Sequence, residues 1–150
     1  MSLKQQIDTD IKNAMKAKNK EELQALRSIK SMILLAESEK GAEENLTEDA
    51  EMKLLMKAAK QRRESADTYK SNGREELAKA ELFELDVIER YLPKQMSEQE
   101  LRSKLEDIIS KIGATGPQDM GKVMGVATKE LAGKADGKMI SQLVKQILAS

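Results

Sequence analysis

Apolar residues recur every three or four positions along most of this chain, which is the spacing of one face of an α-helix. The pattern predicts a first helix over residues 3–17 and a second helix that follows a polar turn at 18–20. Gly41 is expected to end the second helix in the left-handed conformation. The positions predicted to face the core are Leu3, Ile7, Ile11, Ala14 and Met15 in the first helix, and Leu23, Leu26, Ile29, Ile33 and Leu34 in the second.

A long helical hairpin is predicted next. Thr47 is a favourable N-cap, and the acidic residues Glu48 and Asp49 suit the positive end of the helix dipole. The helix that begins there is expected to run for about 24 residues, up to the Asn-Gly turn at 72–73. Residues 74–92 are then expected to return antiparallel as the second arm.

A break in the helical pattern separates two predicted units. Pro93 disfavours the α conformation in the residue before it, so the returning arm must stop there. Ser97 and Glu100 have the spacing of a capping box, which starts a new helix. We therefore predict an N-terminal helical domain over residues 1–96 and a C-terminal domain over 97–150.

The C-terminal domain is predicted to contain three short amphipathic helices. Gly113 and Gly133 are expected to end the first two of them, and Asp119 and Asp136 to cap the second and third. Three such helices can form a small bundle. The predicted fold class of the whole chain is all-α.

Composition supports this fold class and narrows the chemistry. Charged residues make up 35% and aromatic residues 2%, and good helix formers dominate. The two aromatic residues nearest the break, Phe83 and Tyr91, are expected to wedge the two units together. Neither cysteine nor histidine is present, which excludes disulfides, thiolate nucleophiles, imidazole bases and the usual zinc sites.

Charge and hydropathy give the remaining expectations. The 26 basic and 26 acidic residues balance, so attraction to an anionic partner must be local. No apolar run reaches the roughly 18 residues that span a bilayer, and no signal peptide is evident, so a soluble cytoplasmic protein without membrane contact is expected. No constellation of side chains suggests a catalytic residue, a cofactor site or a metal site.

The densest basic run lies at 53–63, with five cations and no acid. Lys53, Lys57 and Lys60 share one helix face, with Arg63 at its edge, and this row has the form of a phosphate-binding surface. A solvated helix face is the commoner reason for such a row, and it is the explanation we favour.

Arg62 differs from its neighbours because it falls on the opposite, apolar face of the helix. A cation in that position is more often structural than a ligand contact. We predict that Arg62 pairs with Glu81 or Glu84 on the returning arm.

A second candidate stretch contains two glycines inside a predicted helix, Gly121 and Gly125. Each costs about 1 kcal/mol relative to alanine, so something must offset the loss. We favour the close approach of a neighbouring helix; the alternative is the close approach of a ligand's backbone.

Lysines surround these glycines. Lys122 and Lys129 lie on one side of the predicted helix, and Lys134 and Lys138 follow in the next turn and cap. Together they are predicted to form a small cationic patch.

Four segments of the chain resemble motifs of the bacterial YqeY family. They are Lys-Gln-Arg-Arg-Glu-Ser at 60–65, Tyr-Leu-Pro-Lys-Gln at 91–95, Asp-Met-Gly-Lys-Val-Met-Gly at 119–125 and Ala-Asp-Gly-Lys at 135–138. The resemblance extends over nearly the whole chain. That family is similar to the C-terminal tail of GatB, a subunit of the tRNA-dependent amidotransferase that converts Glu-tRNA or Asp-tRNA to the amidated form.

This resemblance implies a long helical N-terminal part and a small helical C-terminal domain. It also implies a role around tRNA, because the GatB tail helps to hold tRNA while phosphorylation and amide transfer occur in other parts of that enzyme. The function expected here is a non-catalytic module that binds tRNA or associates with the amidotransferase. The expected RNA contacts are Lys122, Lys129, Lys134 and Lys138, with Lys53, Lys57, Lys60 and Arg63 as a second row.

Two alternatives remain open at this stage. One is a carbon–nitrogen ligase, or a subunit of one, that uses glutamine as amido-N-donor, although no catalytic residue of the amidotransferase has a matching position here. The other is a helical scaffold for protein interactions. The expected partners are thus tRNA and a protein of tRNA-dependent amidation; no DNA, membrane or cofactor is expected.

Overall fold

The computed structural model describes residues 2–39 and 46–150, and all its regular elements are helical. The predicted all-α class is confirmed, since these residues contain no strand. The helices are α1 (Leu3–Lys16), α2 (Lys20–Glu39), α3 (Glu48–Ser71), α4 (Glu75–Glu89), α5 (Glu98–Ile112), α6 (Met120–Glu130) and α7 (Gly137–Ala149), with a short 3-10 turn at Pro117–Asp119 before α6. The predicted cap at Gly41 lies outside the described residues.

The chain divides into two compact units, Met1–Leu92 and Pro93–Ser150, and each has its own apolar core. The core of the first unit is built from all four of its helices. Its fully buried larger side chains are Ile7, Leu26, Ile29, Ile33, Leu55, Val87 and Ile88.

Two residues that the periodicity assigned to this core are exposed. Met15 is 53% exposed and Leu34 is 47% exposed, so both predictions are wrong. The residue before each of them, Ala14 and Ile33, is buried, and consecutive residues lie about 100° apart around a helix. At these two places the buried face therefore does not extend to the second residue of the pair.

The second half of the first unit is the predicted hairpin. The Thr47 hydroxyl accepts a hydrogen bond from the backbone N–H of Ala50, which confirms the N-cap, and α3 runs for 24 residues. Gly73 has φ 72° in the turn between the arms, a conformation that glycine adopts without strain.

Buried and half-buried side chains recur at alternating spacings of three and four on α3 and α4, which is the pattern of a coiled coil. Alanines at several of these positions allow the two helices to approach closely. The seam positions are Met52, Leu55, Ala59, Arg62, Ala66 and Tyr69 on α3, and Ala78, Glu81, Leu85 and Ile88 on α4.

Arg62 is the basic member of this seam, and it makes the predicted ion pairs. Its Nε lies 2.6 Å from Glu84 Oε2 and 3.6 Å from Glu81 Oε2. The three side chains are 22% to 28% exposed, so water screens them only in part. The predicted pairing of Arg62 is confirmed, and its contribution to stability stays a prediction.

The hairpin ends differently from the prediction. Helix α4 stops at Glu89, and the next three residues form a tight turn in which the Leu92 N–H bonds to the Glu89 carbonyl. The expectation of helix up to residue 92 was therefore too long, because Pro93 restricts the backbone before it and the last turn tightens.

The two aromatic residues near this end pack against the core of the first unit. The Tyr91 hydroxyl donates a hydrogen bond to the Asp10 carboxylate on α1. Burial, and then this hydrogen bond, raise the pKa of the Tyr91 hydroxyl above its usual range. Phe83 and Tyr91 thus stabilise the first unit, which is a role that the sequence prediction did not give them.

Residues 93–96 lie in the second unit. The Gln95 side chain donates to the Gly133 carbonyl over 2.7 Å, and the Met96 N–H donates to the Lys134 carbonyl over 3.0 Å. These bonds hold the segment against the loop between α6 and α7. The units therefore divide four residues before the boundary that the capping box at Ser97 suggested.

Short capping motifs in the sequence correctly predicted most of the helix ends in the second unit. The Ser97 hydroxyl accepts from the Glu100 N–H, Gly113 has φ 77°, and the Asp136 carboxylate accepts from the Lys138 N–H.

The cap predicted at Asp119 is wrong. Its carboxylate accepts from the Thr115 N–H over 2.9 Å, and it makes no cap hydrogen bond to α6. A 3-10 turn leads directly into α6, so Asp119 already has near-helical backbone angles and its side chain closes the preceding loop instead.

In the part of the chain that the structure covers, no helix combines the length and apolar character needed to cross a membrane.

We expect Arg62→Ala to lower the free energy of unfolding by about 1 to 3 kcal/mol, because it leaves two half-buried carboxylates without their cation. Thermal or urea unfolding followed by circular dichroism measures this change. Lys57→Ala is the matched control: it removes an exposed cation from the same helix and should change stability by only a few tenths of a kcal/mol. Equal losses in the two variants would contradict the structural role of Arg62.

Candidate nucleic-acid interface

Helix α6 presents two lysines on its exposed face. Val123 and Ala127 bury the opposite face, while Lys122 and Lys129 point away from the core and are exposed. These two lysines are seven positions apart, which places them about 10 Å from each other along the helix axis. The helix thus positions two cations on one side without using them in packing.

The loop after α6 and the helix α7 add further cations. Lys134 lies in the loop and Lys138 in the first turn of α7, and both side chains are exposed. Lys145 is exposed as well, and it shares a face of α7 with Lys138 because it follows seven residues later. Our sequence analysis missed Lys145, although its spacing from Lys138 equals that between Lys122 and Lys129.

Each of the three acidic residues after α5 makes an interaction within the second unit. Asp119 accepts a hydrogen bond from the Thr115 N–H, and Asp136 caps α7. Glu130 lies 3.9 Å from the Nζ of Lys104 on α5.

The five lysines after α5 outnumber the acidic residues of the same region, which offset their charge only in part. None of Lys122, Lys129, Lys134, Lys138 and Lys145 has an ion-pair partner among the described residues. This region holds five lysines against three acids, whereas α5 holds four acids against three bases. The neutral chain thus carries a local excess of positive charge on α6, α7 and the loop between them, and we call these five exposed lysines the lysine surface of α6 and α7.

The two glycines of α6 are not explained by helix packing. A Cβ added at Gly121 or at Gly125 meets no atom within 4 Å, and both residues are exposed. Our favoured explanation, the close approach of a neighbouring helix, is therefore wrong for the described residues. The alternative, that a ligand's backbone approaches this face, stays open.

The second predicted row lies on α3, in the first unit. Lys53 and Lys57 are exposed and Lys60 is half-buried. Arg63 Nη2 lies 3.6 Å from Glu89 Oε1, so this cation already has a carboxylate nearby. The row presents less uncompensated charge than the lysine surface of α6 and α7.

The acidic side chains are the candidates for a metal site. Residues 2–39 and 46–150 contain no group of three or more possible ligand side chains that could hold a metal ion. The expectation of no catalytic residue and no cofactor stays a prediction.

Comparison with known proteins identifies a family. Residues 4–148 match the family described as Yqey-like protein, which is nearly the entire chain. The match includes both units and the lysine surface of α6 and α7.

Three curated fungal proteins are similar to this chain, and each is called "Altered inheritance of mitochondria protein 41, mitochondrial". The protein from Pyrenophora tritici-repentis is 28% identical over 148 residues, which cover 96% of this chain and 80% of the relative. Those from Clavispora lusitaniae and Meyerozyma guilliermondii are 36% and 35% identical, over 72% and 78% of this chain. This chain spans less than two thirds of the length of the latter two, namely 63% and 62%.

We expect Gly121→Ala and Gly125→Ala each to raise the free energy of unfolding, by about 0.5 to 1 kcal/mol. Alanine has the higher helix propensity, and the added methyl group meets open space. Chemical unfolding of each variant measures the gain.

Gly113→Ala is the matched control for these two substitutions. Its site is equally open, but Gly113 has φ 77°, a conformation that is strained for alanine. This variant should lose stability. A loss of stability in Gly121→Ala or Gly125→Ala would show that their surroundings are not open.

Proposed function

The chain belongs to the Yqey-like protein family, and we propose that its second unit is a non-catalytic module that binds tRNA through the sugar–phosphate backbone. The observation that carries this proposal is the lysine surface of α6 and α7, whose five cations have no acidic partner among the described residues. An anionic polymer with closely spaced charges is the ligand class that such a surface attracts.

Lysine suits contact with phosphates that does not depend on sequence. Its ammonium group is a compact point charge on a flexible stem, so it follows phosphate oxygens without imposing one geometry. Each phosphate that a lysine neutralises also releases counterions, which makes the affinity depend on salt concentration. The proposed contacts are Lys122, Lys129, Lys134 and Lys138, with the row Lys53, Lys57, Lys60 and Arg63 as a second contact.

The exposed glycines are compatible with this function. Gly121 and Gly125 leave the face of α6 beside Lys122 and Lys129 without side chains. A phosphate backbone can approach a helix more closely where no Cβ intervenes. The similarity to the tail of GatB supports the choice of tRNA among RNAs, and association with an amidotransferase is part of the same proposal.

We do not assign amide transfer to this chain. A glutamine-dependent ligase needs a nucleophile and an activating base, and the thiolate and imidazole that often fill these roles are absent because the chain contains neither cysteine nor histidine. The carbon–nitrogen ligase remains the less favoured alternative. The curated relatives are named as mitochondrial proteins, so the cytoplasmic location expected from sequence stays a prediction.

A protein-interaction scaffold is the second candidate function. Leu34 and Leu35 on α2 are 47% and 63% exposed, and large apolar side chains side by side on a surface are typical of protein contacts. We rank this function second because two neighbouring leucines form a small patch.

We expect folded tRNA to bind the intact chain with modest affinity at physiological salt and with a slope of log Kd against log salt of magnitude about 3, since about four phosphates are neutralised. A fluorescence titration at two or more salt concentrations measures both quantities. Replacing Lys122, Lys129, Lys134 and Lys138 together by alanine should remove most of the salt-dependent affinity.

Replacement of Lys12, Lys16, Lys18 and Lys20 by alanine is the matched control, because it makes the same change in net charge at exposed positions of the first unit. Circular dichroism establishes that both variants are folded. The tRNA proposal fails if the wild type shows no salt-sensitive binding, or if the two variants bind equally well. The scaffold function would then take its place.

A further inference from the structure

The second unit lacks the side chains that hold unpaired bases. The three aromatic residues of the chain are Tyr69, Phe83 and Tyr91, and all of them precede Pro93. Stacking on aromatic rings supplies much of the affinity of proteins for single strands. The one arginine of the second unit, Arg102, lies on α5 and donates a hydrogen bond to Gln146 Oε1 over 2.8 Å. Neither stacking of unpaired bases on aromatic rings nor the planar guanidinium fork of arginine is thus offered by α6 or α7.

The cations of this surface are instead held in a regular arrangement. Lys122 and Lys129 on α6, and Lys138 and Lys145 on α7, form two pairs with the same spacing of about 10 Å along a helix axis. Val123, Ala127, Ile140 and Val144 belong to one core, which fixes the two helices against each other.

A ligand whose charges are already in place binds such a surface at a lower entropic cost. A double helix holds its phosphates at fixed positions, whereas a single strand must first be ordered, and that ordering lowers the affinity. This difference in ordering cost, together with the lack of stacking side chains on α6 and α7, favours paired over unpaired RNA.

A further side chain on α7 can distinguish RNA from DNA. Gln142 is exposed on the same face as Lys138 and Lys145, one helical turn from each. No described residue hydrogen-bonds to its side chain. An amide both donates and accepts hydrogen bonds, as does the 2′-hydroxyl that marks RNA in its wide minor groove.

We infer that the lysine surface of α6 and α7 binds double-helical RNA through phosphates and 2′-hydroxyls, with Lys145 and Gln142 among the contacts and without reading the bases. This inference rests on the proposed function, and it names the part of the RNA that is held. A stem of any sequence is then a ligand, and the specificity is for the shape of the A-form helix.

The test compares three labelled ligands with equal numbers of phosphates: an RNA stem–loop, an RNA of the same length that cannot pair, and a DNA stem–loop of the same sequence. Titrations use the whole chain at one salt concentration. We expect the RNA stem to bind about tenfold more tightly than the unpaired RNA, a difference of about 1.4 kcal/mol, and several-fold more tightly than the DNA stem. Inverting the sequence of the RNA stem should change its affinity by less than about twofold, since phosphate contacts carry no sequence information.

Two single substitutions test the named contacts. Lys145→Ala should weaken binding of the RNA stem several-fold and lower the magnitude of the salt slope by about 1. Lys12→Ala, an exposed lysine on α1, makes the same charge change and should leave both quantities unaltered. Gln142→Ala should bring the affinities for the RNA and DNA stems closer together while leaving the salt slope unchanged.

The outcomes separate this inference from the proposed function. If the unpaired RNA binds as well as the RNA stem, or if Lys145→Ala and Lys12→Ala behave alike, the inference is overturned while binding of RNA by this chain still stands. If tRNA and all three ligands fail to bind with salt sensitivity, the proposed function itself is overturned. A preference for the RNA stem that Gln142→Ala leaves intact would remove the role of Gln142 alone.

Discussion

An ion-paired layer in the middle of the α3–α4 seam is the constraint on which the first unit depends. Arg62 faces Glu84 and Glu81 across the two arms, at 2.6 and 3.6 Å, where the neighbouring seam residues are alanine and leucine. Small apolar residues alone permit the helices to slip by a heptad, whereas a slip at this layer would separate half-buried charges from their partners. The layer thus reinforces the register that the tight turn at 72–73 imposes on the returning arm. That register in turn brings Arg90 to Glu22 on α2 and Tyr91 to Asp10 on α1.

The second unit is organised by a different constraint, the distribution of its acids. Four acidic residues lie on α5, and the remaining three are used in a loop closure, a helix cap and an ion pair. Lysines on α6 and α7 are therefore left with their charge exposed, although the whole chain has no net charge. Long-range steering of an anionic ligand by net charge is weak in such a protein, and the attraction operates over roughly a Debye length of this surface. The proposed binding of RNA follows from this local excess.

Features encoded within a few residues of each other were predictable from the sequence. The caps at Thr47, Ser97 and Asp136, and the left-handed glycines at 73 and 113, depend on a side chain and on backbone groups close to it in the chain. The partners of Arg62 were predictable for a related reason, since a tight turn at 72–73 fixes which residues of two antiparallel arms lie opposite each other. The end of α4 and the role of Asp119 were not predictable from the sequence. In both places a short turn forms where the sequence motif favoured a helix end or a helix cap.

The sequence by itself determined the helices, their approximate lengths and the family, because periodicity and short motifs are properties of the chain alone. It could not decide which of two adjacent apolar residues is buried, as at Ile33 and Leu34, since that depends on the width of the contact with other helices. Nor could it decide that Gly121 and Gly125 face open space, or that Asp119, Glu130 and Asp136 are occupied while five lysines are not. Only the tertiary structure decides these points, because exposure and charge pairing arise between residues that are distant in the chain.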